Sequence, residues 1–441
     1  MHIESVGAPI AISRADERLD RAIGPWALGA NAVNLAVGAG VFAMPGMVAA
    51  ILGPSAILAY IICALTIGFV LLCCAELGTA ITRSGGVTAY IDEVFGPYAG
   101  FLAWAVYAIG CCALADAAIA HVLMDALASG IPALEHRSVR AAAFLLLFGG
   151  LAAVNVRGVV HGTRVSVGAT AAKLLPLALL IALGVSAISW GELRWTGLPT
   201  ARALGDGSLL VFFIFMSAEG ALTASGEIRN PVRTVPRALL GASLTLAVLY
   251  IALQVVSQGV LGADLARQGS TPLAAVAEQL IGAPGRRLLL ACAAVAVFGS
   301  IAADMVNTPR AFFAQARAGL LPERLAAVHA RYHTPHVAIA SYAALVAAFS
   351  ISGAFQPLAL LATIAQLTIY LFVCLAVLWW RASNRPRAPF RIPGGPTVPL
   401  AGVIAILWLI AHSTSAEVVA LLALIAVASG YYWLRLQSVR L

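Results

Sequence analysis

Apolar stretches of roughly 20 residues, the length that crosses the ~30 Å hydrocarbon core of a bilayer as an α-helix, recur from residue 24 to residue 434 with short polar connections between them. About twelve can be placed: residues 24–51, 54–81, 98–129, 139–157, 163–190, 207–228, 235–261, 287–316, 335–352, 357–380, 398–413 and 417–434, numbered spans 1 to 12. With 61% of 441 residues hydrophobic and 10% charged, the chain cannot cover these stretches in water, so lipid is its main solvent. Lipid supplies no hydrogen bonds, and runs of this length satisfy their own backbone only as helices. The predicted fold class is an all-α membrane protein with 12 transmembrane helices. No connection is long enough to hold a soluble module, which removes a receptor or scaffold reading.

Arginine sets the orientation. An even number of spans puts both termini on one side, and basic residues near span ends stay in the cytoplasm. With the N-terminus inside, 19 arginines, Arg14, Arg18, Arg83, Arg381 and Arg440 among them, fall in inner segments and 7 in outer loops, so both termini are expected to be cytoplasmic. The net charge of +8 is spread over those inner segments and suits anionic lipid head groups; no basic stripe interleaved with aromatics points to nucleic acid. The first twenty residues mix both signs of charge, so span 1 is expected to do the targeting, without a cleaved leader.

The chemistry of an enzyme is not visible. All seven cysteines lie inside apolar spans without a CxxC pair, and the eight histidines sit mostly in termini and loops, so neither a metal set nor a nucleophile with its base is predicted. No cofactor is expected. A channel would need a continuous polar pore, and the polar interruptions here are few and local.

Two interruptions matter most. Span 1 carries Gly38, Gly40, Pro45 and Gly46 around its middle, and span 6 carries Met216, Ser217, Glu219 and Gly220. Unwound backbone at that depth survives only where it lines a cavity or is covered by protein. Their separation by five spans is the spacing of two inverted five-helix repeats. The expected organisation is a tail over 1–21, a first repeat over 22–190, a second over 207–381, two added helices over 398–434 and a tail over 435–441.

Five segments give the chain a family likeness: Gly38-Ala39-Gly40-Val41-Phe42; Ala75-Glu76-Leu77-Gly78 with Ser84-Gly85-Gly86 and Phe95-Gly96-Pro97; Phe213 to Glu219 with Glu227-Ile228-Arg229-Asn230-Pro231 and Thr234-Val235-Pro236-Arg237-Ala238; Ala316 to Pro322; and Tyr332-His333-Thr334-Pro335. In order and spacing the sequence resembles the amino acid, polyamine and organocation transporter superfamily, specifically its bacterial amino acid permeases and exchangers. The resemblance implies the bacterial inner membrane and a LeuT-like fold, with a small amine-bearing solute held between spans 1 and 6 and spans 3, 8 and 10 completing the site. Free amides at the first break suit a carboxylate, and free carbonyls at both breaks suit an ammonium.

Carried over by position, the resemblance places the substrate carboxylate at the backbone of Ala39 and Gly40, with Gly38 in the same binding stretch, and the ammonium near the carbonyls of Ala36, Phe213 and Met216, with Ser217 beside them. Phe213 matches the aromatic that caps the substrate, and Tyr107, Gly110 and Cys111 match span 3, where Ala115 replaces the family's polar residue. Lys173, the chain's single lysine, matches a lysine that stands where sodium-coupled relatives hold sodium, with Ser300 at the edge of that site. Glu219 comes just after the span 6 break as a gating or proton-linked carboxylate. Asp304 departs from the pattern; facing the cavity it would favour cationic solutes or pair with Lys173, and Asp116 adds a further buried carboxylate. The expected function is sodium-independent amino acid transport, proton-coupled or exchanging, with a polyamine or diamine antiporter as the alternative. Nothing in the sequence sets an oligomeric state.

Overall fold

A computed structural model describes residues 21–128, 130–157, 163–195, 197–269 and 271–439, with the side chains of 39, 163–172, 438 and 439 excepted. The expected tail before residue 21, with Arg14 and Arg18, lies outside the described residues, as does Arg440. Among the described residues every regular element is helical, and eight helical segments are long and apolar enough to cross a membrane.

Span 1 divides into α1 (Pro25–Ala36), a tight turn over Ala39–Phe42 and α2 (Met44–Leu52). Next come α3 (Ile57–Ala80) and a short helix α4 (Gly86–Phe95). Span 3 is one rod of three textures: α5 (Pro97–Ala105), a π-helical stretch over Val106–Ala113 and α6 (Leu114–Ala128). Helices α7 (Arg137–Val156) and α8 (Thr163–Val185) close the first half. Span 6 starts earlier than its apolar run implies, as α9 (Ala201–Phe215), breaks at Met216 and Ser217, and continues as a 3₁₀ helix over Ala218–Glu227. The second half is completed by α10 (Pro231–Leu261), α11 (Pro272–Ile281), α12 (Ala283–Arg317), α13 (His336–Ser352), α14 (Phe355–Ala382), α15 (Thr397–Ile410) and α16 (Ser415–Val439).

Hydropathy does not reveal α4 or α11. At 10 residues each they are about 15 Å long, half of what a crossing needs. They occupy corresponding places, one after span 2 and the other after span 7.

The broken spans lie against each other head to tail. Helix α1 packs on the 3₁₀ half of span 6, and α2 packs on α9. At one end the pairing is stitched by backbone: the Ile23 N–H donates to the Glu227 carbonyl at 3.0 Å, and the Arg229 N–H donates to the Ile23 carbonyl at 3.0 Å. In lipid, apolar surface gives no drive for helices to associate, so close contact and polar pairing must hold the bundle. Close approach is visible at Gly29, where an added Cβ would stand 3.4 Å from the Ala238 carbonyl oxygen of α10.

Polar pairing is densest at the end of α3. Glu76, 2% exposed, accepts from Arg381 Nε at 2.7 Å, from Arg381 Nη2 at 2.5 Å and from the Ile392 N–H at 2.8 Å. Arg381 also donates to the Gly395 carbonyl, and Thr79 Oγ1 accepts from the Phe390 N–H at 3.2 Å. This cluster fastens the end of α14 and the loop after it to α3.

Candidate functional site

Helix α1 ends because the chain turns sharply at Val37: the Gly38 N–H folds back onto the Ala36 carbonyl at 2.8 Å. The turn over Ala39–Phe42 then starts without a side-chain cap. Its first amides, those of Ala39 and Gly40, therefore have no partner inside the turn. The start of α2 adds its positive dipole end from behind. Gly38 faces open space, since an added Cβ would meet only the Ala36 carbonyl at 4.0 Å. Gly40 is tightly covered: a Cβ there would lie 3.0 Å from the Phe213 ring and 3.0 Å from Ile214 Cγ2. Phe213 in turn meets the Phe355 ring edge-on at 5.8 Å. The first break is thus roofed by Phe213.

Ala36 is placed differently from the expectation of a free carbonyl. Its oxygen accepts from both the Gly38 N–H and the Tyr250 hydroxyl, the latter at 3.0 Å, which fills its two lone pairs. In span 6, Ser217 adopts φ 80°, a left-handed conformation that a serine holds only at some cost in backbone strain. Its N–H, which a continuous helix would give to the Phe213 carbonyl, donates instead to Tyr370 Oη at 3.3 Å. Phe213 and buried Met216 therefore present backbone oxygens that the break takes out of the helical ladder.

Glu219, buried just past the break, accepts from Tyr370 Oη at 2.5 Å and from Gln366 Nε2 at 2.8 Å. Each carboxyl oxygen thereby has one donor, and a hydrogen bond to a charged group is worth roughly 1.5–3 kcal/mol net. Gln366 and Tyr370 stand one turn apart on α14, so span 10 holds the 3₁₀ half of span 6 by its carboxyl. Ser217, Tyr370 and Glu219 form one continuous chain of hydrogen bonds.

The span 3 positions separate. The Tyr107 hydroxyl lies 3.8 Å from where a Gly220 Cβ would stand, beside the second break. Gly110 faces elsewhere: a Cβ there would press on Ala365 at 2.9 Å and on Leu424 at 3.1 Å, so this glycine lets α14 and α16 approach. Cys111 is buried in the same π-helical stretch. A π turn inserts an extra residue and rotates the remainder of the helix about its axis, which is why positions matched by sequence spacing end on different faces.

On the other side of the breaks, buried Lys173 donates from Nζ to Ser300 Oγ at 3.0 Å, joining α8 to α12. One turn along α12, half-buried Asp304 neighbours Lys173 of α8 and Asp116 of α6. Asp116 is 1% exposed and accepts from the Tyr342 hydroxyl at 2.8 Å. Tyr250, Tyr342, Gln366 and Tyr370 escape sequence reasoning. A polar tip on an otherwise apolar span is the available signal, and each of these four ends on a broken backbone or a buried carboxyl.

A family model described as amino acid permease matches residues 23–430. Among curated proteins, the serine/threonine exchanger SteT of Bacillus subtilis is 26% identical over 84% of this chain and 86% of its own length. The branched-chain amino acid permease BcaP of Lactococcus lactis is 25% identical over 85% of this chain and 86% of its own. A methylthioribose transporter of Bacillus subtilis is 26% identical over 88% of each.

Proposed function

We propose that this chain, which belongs to the amino acid permease family, is a secondary active transporter of amino acids that works by alternating access across the bacterial inner membrane. The observation that carries this reading is the first break, where the amides of Ala39 and Gly40 start an uncapped turn and Gly40 lies against the Phe213 ring. An α-carboxylate fits the amides and the dipole of α2. An α-ammonium fits the backbone oxygens of Phe213 and Met216, and the aromatic roof excludes water above both.

The head-to-tail packing of spans 1 and 6, with α4 and α11 in corresponding places, supports two inverted five-helix repeats of LeuT-like form, with spans 11 and 12 added, and the arginine bias toward inner segments supports cytoplasmic termini. Lys173 on Ser300 supports sodium independence, because an ammonium there supplies the charge that a sodium ion would. Glu219, held by Tyr370 and Gln366, is the gating tie between span 6 and span 10. The relatives include an exchanger and permeases, and both proton coupling and solute exchange suit this site. The alternative, a polyamine or diamine antiporter, draws on Asp304, whose half-buried carboxyl would receive a second ammonium.

Uptake by purified protein in liposomes, against a panel of amino acids and diamines, tests the reading together with Gly40→Leu. The wild type should take up at least one α-amino acid, and Gly40→Leu should abolish that uptake, since extra bulk must displace the Phe213 ring. A folded Gly40→Leu protein that transports normally would place the solute elsewhere, and uptake of diamines alone would favour the antiporter.

A further inference from the structure

Most buried charge in this molecule has its partners. Glu76 has Arg381 and a backbone amide, and Glu219 has Tyr370 and Gln366. The group formed by Asp116, Asp304 and Lys173 is different. Asp116 takes one hydrogen bond, from Tyr342 to Oδ2; its Oδ1 is buried and has no donor among the described residues. Its neighbour across the packed α6–α12 pair is Asp304, a second carboxyl, which as an anion offers only acceptors. Lys173 is the cation facing Asp304, and its ammonium is shared with Ser300. Two carboxylates against one ammonium leave one negative charge uncompensated where charge is expensive.

We propose that Asp116 and Asp304 form a proton-binding site, the pair sharing one proton that is taken up and released as the carrier changes between its open states. A proton on either carboxyl supplies the donor that Asp116 Oδ1 lacks, turns two mutually repelling acceptors into a hydrogen-bonded pair and needs no added volume. The accessibility of the two groups gives the order of events: half-buried Asp304 is the group through which the proton enters and leaves, while Asp116, 1% exposed, retains it. A cationic group of a solute could reach the first but not the second.

The other groups facing the pair are consistent with a proton held there. Tyr342 faces Asp116 from α13; Cys112 and Tyr107 face Asp304 from the π-helical stretch. From α14, Gln366 and Tyr370 are turned to Glu219 instead. Toward the end of α6, His121 lies against the Ser350 carbonyl, and Asp125 pairs with Arg140. The coupling comes from where the two carboxyls are mounted. Asp116 is on α6 and Asp304 on α12, so any shift of one helix past the other parts them. Parted carboxyls no longer share a proton, and Asp304 is left facing the ammonium of Lys173.

The inference rests on the transporter reading, and the experiment separates the two. Wild type and Asp116→Asn are reconstituted in liposomes, with L-leucine and L-threonine as probes and a pH-sensitive dye inside the vesicles. Counterflow of labelled against unlabelled amino acid needs no net proton movement; accumulation driven by an acid-outside gradient does. The wild type should show counterflow, gradient-driven accumulation and solute-induced acidification of the lumen. Asp116→Asn should lose the last two and continue counterflow, and Asp116→Glu should restore them in part. Gradient-driven accumulation that survives in Asp116→Asn overturns the proton site, as does a wild type that shows counterflow without acidification. A wild type that moves neither amino acid overturns the transporter reading for these solutes, whatever the variants do. If instead Asp116→Asn abolishes counterflow of lysine or putrescine while proton movement with neutral solutes persists, the pair is a solute subsite and the inference fails.

Discussion

Glu76 and Asp116 are both carboxyls on apolar spans and nearly equally buried, 2% and 1% exposed, yet their surroundings are opposite. Glu76 has a bidentate guanidinium and a backbone amide, and the arginine is itself tied to a loop carbonyl. Asp116 has one tyrosine hydroxyl, one orphaned oxygen and a second carboxyl for a neighbour. Burial alone does not distinguish them; the count of donors does. A saturated carboxyl is fixed in one state and can only hold structure. A carboxyl short of one donor gains that donor by taking up a proton.

The largest effect expected from this contrast is on folding. Glu76→Ala leaves Arg381, whose side chain is 9% exposed, without its partner, and stranding one member of a buried pair costs about 3–5 kcal/mol. That is a large share of ordinary folding stability, so Glu76→Ala should fall sharply in yield and unfold well below the wild type in a detergent melt. Asp116→Asn should melt within a few degrees of wild type, because an amide keeps the Tyr342 contact and adds a donor beside Asp304. Equal destabilisation by the two substitutions would break the comparison.

Much of the architecture is legible in the sequence, and the parts that are not have identifiable causes. The two breaks can be read because lipid forbids unpaired backbone, so a run of glycine and proline at mid-span must be covered by protein or line a cavity. The start of span 6 is misplaced by hydropathy because Arg202 and Asp206, in the first turns of α9, end the apolar run early. The short helices α4 and α11 are too short to show in hydropathy. Lys173, Asp116 and Asp304 stand out as charges within spans, but their grouping depends on how α6, α8 and α12 face one another, and one-dimensional spacing does not carry that. Gly110 shows the same limit, since the π-helical stretch turns it toward α14 and α16. The Glu76 motif is visible, but Arg381 lies 305 residues away and nothing local links them.

The two cations sharpen the comparison at a smaller scale. Arg381 is a structural tie, whereas Lys173 makes one hydrogen bond among the described residues, to the uncharged hydroxyl of Ser300. Lys173→Ala should therefore keep the fold and much of the substrate binding, measured by a ligand-induced rise in melting temperature, while losing most net transport and its pH dependence. Lys173→Arg should restore little, because a guanidinium keeps its proton throughout the accessible range and its planar fork does not match one serine hydroxyl. Wild-type transport with an unchanged pH profile in Lys173→Ala would make this lysine architectural, and Lys173 would then belong with Arg381.

The smallest expected effect is none at all, and it tests whether the ammonium of Lys173 stands in for a sodium ion. A sodium site needs several oxygen ligands free to turn toward a cation. Here Ser300 Oγ already accepts from Lys173, and the Ala36 carbonyl of the first break is filled by Gly38 and Tyr250. Adding sodium would place a second positive charge beside the ammonium, and within a few ångströms in a poorly screened interior that repulsion outweighs what one or two remaining oxygens could return. Replacing sodium by choline at a fixed pH gradient should therefore leave the initial rate of uptake in liposomes unchanged in the wild type. Lys173→Ala supplies the converse arm, since with the ammonium gone Ser300 and Asp304 are left as oxygen ligands and sodium can begin to bind. A sodium-stimulated rate in the variant alone would mean that the lysine stands in for the ion; uptake by the wild type that stops in choline would mean that the charge of Lys173 serves another purpose.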